Sequence, residues 1–337
     1  VSFPAGVATG IGSWPGTDPR EAAAVIVGEL VELPHLAELP ARGIGADMIG
    51  RTGALLVDLP FDTTTRGYRI AAHRGAVSKR ATDLLNRDLD ALEEAWETAG
   101  LVDAQRHIKV QAAGPWTLAA EVELANGHKV LTDRGAVREF AESLGEGLVR
   151  HVTEVRRRLG ASVVLQLDEP LLASVLAGTI SGVTARERIP AIPAPDALVL
   201  LDAVIAQADV PVVVHDCSSA PPWELFRRSR ADAVSFDLNL IDSADLDPIG
   251  ELLDADKNLI LGIVPTRPLT PAPTWRDCAA PAVKLVDRLG FPRSALGGRV
   301  SVSPACGLAG ASESWARKAL ALCNDVARAL VEEPEKL

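Results

Sequence analysis

Cysteine is scarce in this chain: four among 337 residues, at positions 217, 278, 306 and 323, with no CxxC pair. That sparseness argues against a secreted disulfide scaffold and makes a reducing, cytoplasmic compartment the simpler expectation. Positive charge is short as well. Lys and Arg number 34 against 45 Asp and Glu, for a net charge of −11. The densest basic cluster, Arg156–Arg158, reads as the solvated end of a helix. Neither a nucleic acid nor an anionic membrane is therefore expected as the main partner. Long apolar runs are missing too. The longest apolar region, Ala197–Val214, is broken by Asp202, Asp209 and Pro211, so no membrane span is expected. Residues 1–6 lack the basic region followed by an apolar core that marks a signal peptide.

What is present is a large apolar fraction, 47%, with 23% charged residues. That suffices for one large domain or two ordinary ones. No composition break or disordered linker divides the chain, so one domain over residues 1–337 is expected. Short apolar runs alternate with helical patterns. Val7–Pro15 reads as a short strand followed by a tight turn, and further strand-like runs stand at Ile108–Ala113, Ser162–Asp168, Pro211–His215, Ala233–Asp237, Asn258–Val264 and Arg299–Ser303. Ala54–Leu59 reads equally as a strand or as the end of a helix that starts near Asp47. Helices are expected at Arg20–Leu30 behind Asp18 and Pro19, at residues 83–99, 133–158 and 312–331, and briefly at Pro222–Arg228. Residues 33–53, rich in Pro and Gly, read as a long loop over one face. The alternation implies a parallel α/β sheet, and eight candidate strands favour a (β/α)8 TIM barrel over an open sheet.

In such a barrel the active site lies at the C-terminal ends of the strands. Here those ends carry Ser13, Asp168, Glu169, His215, Cys217, Asp237 and Cys306. His215 and Cys217 reach one metal if the chain turns at Asp216, and Cys306 completes a His-Cys-Cys set. Nitrogen and thiolate donors suit Zn2+ rather than Mg2+ or Ca2+. Three protein ligands leave a fourth position, open to substrate or held at rest by Asp237. Such a zinc would ionise either an incoming thiol or a water, and the residues alone leave both open. The HxE…PCxxC pattern of zinc deaminases is absent. Cys278 and Cys323 are expected to be packing residues. The GxG at Gly10–Gly12 lacks the spacing of a dinucleotide fingerprint.

Six motifs then resemble, in order, the C-terminal catalytic half of cobalamin-independent methionine synthase. Thr9–Pro15 (TGIGSWP) resembles that family's TTTIGSFPQT, Gly114–Leu118 (GPWTL) its GPVT, and Leu165–Pro170 (LQLDEP) its IQIDEPA. His215–Cys217 (HDC) resembles HMC, Ser235–Asp237 (SFD) resembles SIE, and Ser303–Leu308 (SPACGL) resembles NPDCGL. The resemblance implies a (β/α)8 barrel that holds zinc through His215, Cys217 and Cys306, with Asp237 in the place of a family Glu. It implies methyl transfer to a zinc-bound thiol such as homocysteine, with Asp168, His215, Cys217 and Cys306 as the catalytic set. The methyl donor would be a methyltetrahydrofolate or a methylcorrinoid, free or carried by a corrinoid protein. Ser13, Asp168 and Glu169 would bind the amino-acid part, Ser13 its carboxylate and Asp168 its ammonium.

The family's loop HGE…NDMVEYF corresponds to Gly45–Arg51, which places Gly50 where that family has a substrate-contacting Glu. Glu38 or Glu121 would have to substitute. Aromatics make up only 4% of the chain, few for a pteridine site. Trp14, Trp116, Trp223 and Trp315 stand near strand ends, with core packing the favoured role for each. The altered loop motivates an alternative, a repurposed barrel that binds a small thiol or amino acid without turnover. A decarboxylase related to uroporphyrinogen decarboxylase would need basic groups for several carboxylates, which the acidic balance disfavours.

Overall fold

From residue 107 onward the apolar runs form the strands that their pattern predicts. The computed structural model describes residues 3–102, 106–184 and 186–337. Among these, a hairpin pairs β1 (Phe61–Thr64) with β2 (Gly67–Ile70). Six parallel strands follow in chain order: β3 (His107–Ala113), β4 (Ser162–Asp168), β5 (Val212–Asp216), β6 (Ala233–Asp237), β7 (Asn258–Val264) and β8 (Val300–Pro304). Around them run α1 (Pro19–Glu29), α2 (Met48–Leu55), α3 (Ala76–Thr98), α4 (Pro115–Glu121), α5 (Arg134–Leu159) and α6 (Leu172–Ala177). The series continues with α7 (Ala194–Ile205), α8 (Trp223–Arg228), α9 (Leu246–Asp254), α10 (Trp275–Leu289), α11 (Ser294–Arg299) and α12 (Glu313–Glu332).

Each strand splits its side chains between two cores, as period-2 alternation requires. In β4, Val163, Leu165 and Leu167 join the large core beneath the helices, while Val164 faces the other way. Val164 meets Val213, Ala233 and Ile260 from the next three strands, and Phe3 and Leu33 close that small cluster from below. Fully burying side chains such as Val213 and Ile260 contributes roughly 1.5–3 kcal/mol each. Further along the strands the same interior face turns polar: Lys109, Gln111, Gln166, Asp168, His215, Ser235, Ser301 and Ser303 are all buried. The sheet therefore has a dry floor and a polar upper layer at the C-terminal ends of its strands.

The sheet is a curled six-stranded half-barrel, not eight full strands. The expected first strand is reduced to a short pairing along β8, where Val302 N donates to Val7 O (2.9 Å) and Thr9 N to Val302 O (2.9 Å). Of the two readings open for Ala54–Leu59, the helix end holds, because Asp47 caps α2 by accepting from Gly50 N at 3.0 Å. The stretch that lies along β3 instead comes from the Pro- and Gly-rich segment: Lys109 N donates to Pro34 O (2.8 Å) and Leu36 N to Lys109 O (2.9 Å). Pro34 has no N–H to give, which helps keep that ladder short. The two edge segments then touch each other, Glu38 N donating to Gly12 O (3.1 Å) and Trp14 N to Glu38 O (2.8 Å).

Side-chain caps start several of the long helices. Asp18 accepts from Arg20 N at the head of α1, Asp133 from Gly135 N and Ala136 N at the head of α5, and α5 stops at left-handed Gly160. Cys278 and Cys323 are buried in α10 and α12, as packing residues should be. The β1–β2 hairpin was not foreseen, since FDTT and GYRI carry no long apolar alternation. Among the described residues no helix is long and apolar enough to cross a membrane.

Candidate functional site

Parallel pairing sets Asp168, His215 and Ser235 side by side on three adjacent strands, because Asp168 aligns with His215 and His215 with Ser235. Cys217 follows directly on β5. Cys306 stands two residues beyond β8 and is partly exposed. The ligand atoms of His215, Cys217 and Cys306 all lie within 4.8 Å of one another. Ser235 Oγ sits 3.0 Å from His215 Nδ1, which leaves Nε2 as the ring nitrogen available to the cysteines.

The three side chains are coupled by hydrogen bonds and charge. The Cys306 thiol is drawn down to about 4 by hydrogen bonds with Cys217 and His215, with a further contribution from the Gly307 backbone, against the opposing effect of burial. Cys217 is pushed up, first by its hydrogen bond to Cys306 and then by burial. Their mutual hydrogen bond thus favours ionisation at Cys306 over Cys217. Burial opposes the charging of His215, yet the hydrogen bond to Cys306 and the charge of Asp168 carry it above its usual value. A nitrogen and two sulfurs at this spacing form a soft donor set that fits a zinc ion, and a bound cation would release any thiol proton that remains.

Asp237 does not join this group. It is half-buried at the end of β6, and its Oδ1 accepts from Asn239 N (2.9 Å) and Asn239 Nδ2 (2.8 Å), capping the turn that follows. Its side chain is one methylene shorter than the Glu of the resembling motif, and the local cap uses its reach.

Ser13 is brought to the cluster. Its hydroxyl lies against Gly307, where an added Cβ would meet Ser13 Oγ at 2.1 Å, and Leu308 N donates to Ser13 O (2.9 Å). Only glycine beside Cys306 allows that approach. Asp168 is buried beneath the cluster. Burial raises its carboxyl, opposed by the charges of His215 and Lys109 and by a 2.7 Å hydrogen bond from Gln166 Nε2.

Glu169 has a different task. It is fully buried, and its oxygens accept from Trp116 N (2.9 Å), Thr117 N (2.7 Å) and Thr117 Oγ1 (2.8 Å). It holds the first turn of α4 to the end of β4. Burial keeps its carboxyl up at about 7.

The second carboxylate near Asp168 is Glu38. It is buried, and burial together with the Asp168 charge raises it to about 7 against the opposing Arg51 charge. Arg51 lies 3.8 Å away and also pairs with Asp88, which Arg42 reaches at 2.7 Å. Gly50 has no room for a side chain, since a Cβ there would come within 2.6 Å of Gly45 Cα and Tyr68 Oη. Glu121 is exposed at the end of α4. Sequence reasoning gave Glu38 no more weight than Glu121; only the pairing of Ser13 with Glu38 sets it beside the cluster. Sequence reasoning also missed Lys109, Gln166 and Ser235, although Gln166 and Ser235 stand inside the matched motifs. All four tryptophans near strand ends are buried, and three indole N–H groups are taken by Ala197 O, Asp245 Oδ1 and Pro265 O, as core packing predicts.

Residues 6–329 match the family model described as cobalamin-independent synthase, catalytic domain. No curated protein matches the chain significantly. Among solved structures, a B12-independent methionine synthase from Shewanella sp. W3-18-1, in complex with selenomethionine, is similar over 99% of this chain and 100% of that one, with a TM-score of 0.59 and 11% identity. A methyltransferase from Methanosarcina mazei is similar over 96% of this chain and 93% of that one, with a TM-score of 0.56 and 18% identity. At these identities the two structures share the fold.

Proposed function

The chain belongs to the cobalamin-independent synthase catalytic-domain family, and on that footing we propose that it is a zinc-dependent methyltransferase that makes methionine from homocysteine. The methionine synthase-like methyltransferase domain follows from the family; zinc, homocysteine and a methyltetrahydrofolate donor are what we add. The carrying observation is the convergence of His215, Cys217 and Cys306 within 4.8 Å.

Zinc held by these three residues would supply the charge that keeps an acceptor thiol ionised at neutral pH. His215 is steadied by Ser235 for that task, and the partial exposure of Cys306 leaves the fourth position reachable from solvent. Asp237 is the resting occupant we assign to that position, and to reach it Asp237 must loosen its cap on Asn239. Ser13 takes the carboxylate of the amino acid, and Asp168 and Glu38 take its ammonium. Glu38 thereby replaces the carboxylate that Gly50 lacks. Glu169 acts from behind, fixing the corner between β4 and α4. In the transfer the thiolate sulfur attacks the methyl carbon, the S–C bond forms, the N5–C bond of the folate breaks, and N5 takes up a proton.

We read the architecture as one (β/α)8 barrel domain over residues 1–337. Support comes from the two edge segments, residues 6–14 and 34–38, which bond to β8, to β3 and, through Gly12, Trp14 and Glu38, to each other. A cytoplasmic location suits four free cysteines, two of them at a thiolate site.

The test is turnover of zinc-loaded protein with homocysteine and either methyltetrahydrofolate or methylcobalamin. Methionine formation that disappears in Cys306→Ser is expected, with about one zinc per chain. Amino-acid binding without turnover on either donor would favour the repurposed barrel. Zinc far below one equivalent would reject the metal.

A further inference from the structure

Lys109 is the most unusual residue of the strand interior. It stands in the middle of β3 and is 0% exposed. Burying an ammonium is costly, by several kcal/mol unless it is matched. Among the described residues Lys109 makes no direct ion pair; Asp168 and Glu38 act on it only as nearby charges. Its Nζ donates instead to Gln166 Oε1 (2.6 Å) and to Ile11 O (3.1 Å).

Those two bonds fix more than the lysine. With its oxygen held by the ammonium, the Gln166 carboxamide has only one acceptable orientation. Its Nε2 donates to Asp168 Oδ1 (2.7 Å) and to Ile11 O (2.8 Å). Flipping the amide would set NH2 against NH3+ and oxygen against carboxylate, two repulsions in a dry site. Ile11 O receives both donors, and two residues on lies Ser13. The same segment bonds to Glu38 through Gly12 O and Trp14 N. One buried cation therefore anchors Asp168 directly through Gln166, and Ser13 and Glu38 through Ile11.

We propose that Lys109 is a positioning residue of the amino-acid pocket, presenting Asp168, Glu38 and Ser13 to the ammonium and carboxylate of the substrate through Gln166 and Ile11. The proposal rests on the function proposed above. A purely structural lysine is a poor alternative, because an apolar side chain of similar volume would be less costly to bury. The floor of the interior, one layer below, is apolar throughout.

The test uses the zinc-loaded full chain, with L-homocysteine as the probe in calorimetry and in KM measurements. Lys109→Met and Gln166→Met are each expected to weaken L-homocysteine by ~10- to 100-fold, the scale of a lost charge-assisted bond or a misplaced contact. Zinc content and kcat at saturation should be kept, and the thermal midpoint of Lys109→Met held or raised. The double variant should lose no more than the worse single one, since both act in one relay. Affinity within about twofold of wild type in the folded single variants overturns the proposal. So does a loss of zinc in step with the loss of affinity. Should Lys109→Met not fold, Gln166→Glu keeps an acceptor for Lys109 but sets a carboxylate against Asp168. The same weakening supports the proposal, and unchanged affinity overturns it. If wild type binds no L-homocysteine, the proposed function fails on its own. The positioning claim is then read from the crystal structure of Lys109→Met or Gln166→Glu, whichever folds, where a rotated Asp168 and a shifted Ile11–Ser13 segment are expected and unchanged geometry overturns it.

Discussion

Replacing Ser235 with alanine removes a single oxygen atom and asks whether His215 is a prepared metal ligand. Ser235 is 1% exposed, and its Oγ lies 3.0 Å from His215 Nδ1. It is the one side-chain hydrogen bond that holds the outer ring nitrogen among the described residues. Leaving that buried nitrogen without a partner costs ~1–3 kcal/mol. At about 1.4 kcal/mol per decade, this corresponds to roughly 5- to 150-fold in a binding constant. Part of the cost falls on the metal-free fold, where the ring also loses its partner, and that part does not affect affinity. What remains is the orientation and basicity of the ligand, typically worth 10- to 100-fold in metal affinity. We therefore expect Ser235→Ala to bind zinc ~10- to 100-fold more weakly, with a small fall in the melting temperature of the metal-free protein. Competition against a chromophoric chelator at fixed pH measures the first quantity, and thermal melts measure the second. Ser301→Ala is the control, since its hydroxyl meets Val7 N and not the cluster. Zinc affinity equal to wild type in folded Ser235→Ala, or an equal loss in the control, would refute the reasoning that Ser235 prepares His215 to bind metal.

Gly50→Glu restores the carboxylate of the resembling motif but cannot work here, because its Cβ would come within 2.6 Å of Gly45 Cα and Tyr68 Oη. An added side chain at a helical glycine often stabilises; in this position urea melts should show a loss of ~1–3 kcal/mol, with no gain in homocysteine affinity. A more stable variant would contradict the packing. Glu169 gives a pH signature. Burial holds its carboxyl up at about 7 against the usual 4.5, despite its hydrogen bonds. Between those values the folded chain keeps a proton that the unfolded chain has released. Its stabilising contribution is thus complete below about 4.5 and is lost as pH rises through about 7. The stability difference between wild type and Glu169→Gln should shrink by up to ~3 kcal/mol from about pH 5 to about pH 8, and a flat difference across that range would sink the assignment.

Much of the site was legible because its chemistry is carried by strand ends. His215, Cys217 and Cys306 follow apolar runs that can hardly be anything but strands, and a parallel sheet delivers all such ends to one face. Other residues were not legible, for reasons that differ. Asp237 also ends a strand, as a fourth ligand would, but what the sequence does not show is the cap on Asn239 that must open before its oxygen can reach the metal. Glu169 was expected to bind the amino acid beside Ser13 and Asp168, yet alternation turns adjacent residues to opposite sides, and its oxygens tie down α4. Glu38 was hidden by its setting, a Pro- and Gly-rich stretch that reads as a surface loop until its pairing with residues 12–14 is seen.

The sequence by itself determined the six parallel strands, most of the long helices and the soft donor set, because periodicity and ligand chemistry are local properties. Tertiary structure alone decided which polar residues are inside. Lys109 and Gln111 alternate with Ile108, Val110 and Ala112 in a pattern that a half-exposed strand would show equally well. Only when residues 6–9 and 34–38 continue the sheet at its two edges does that polar face turn inward. A lysine that would have been solvated becomes a buried anchor, and residues such as Ser13 and Gly307, almost three hundred positions apart, come into contact. The curvature of the sheet, set by contacts distant in sequence, separates a solvated strand face from the lining of a site.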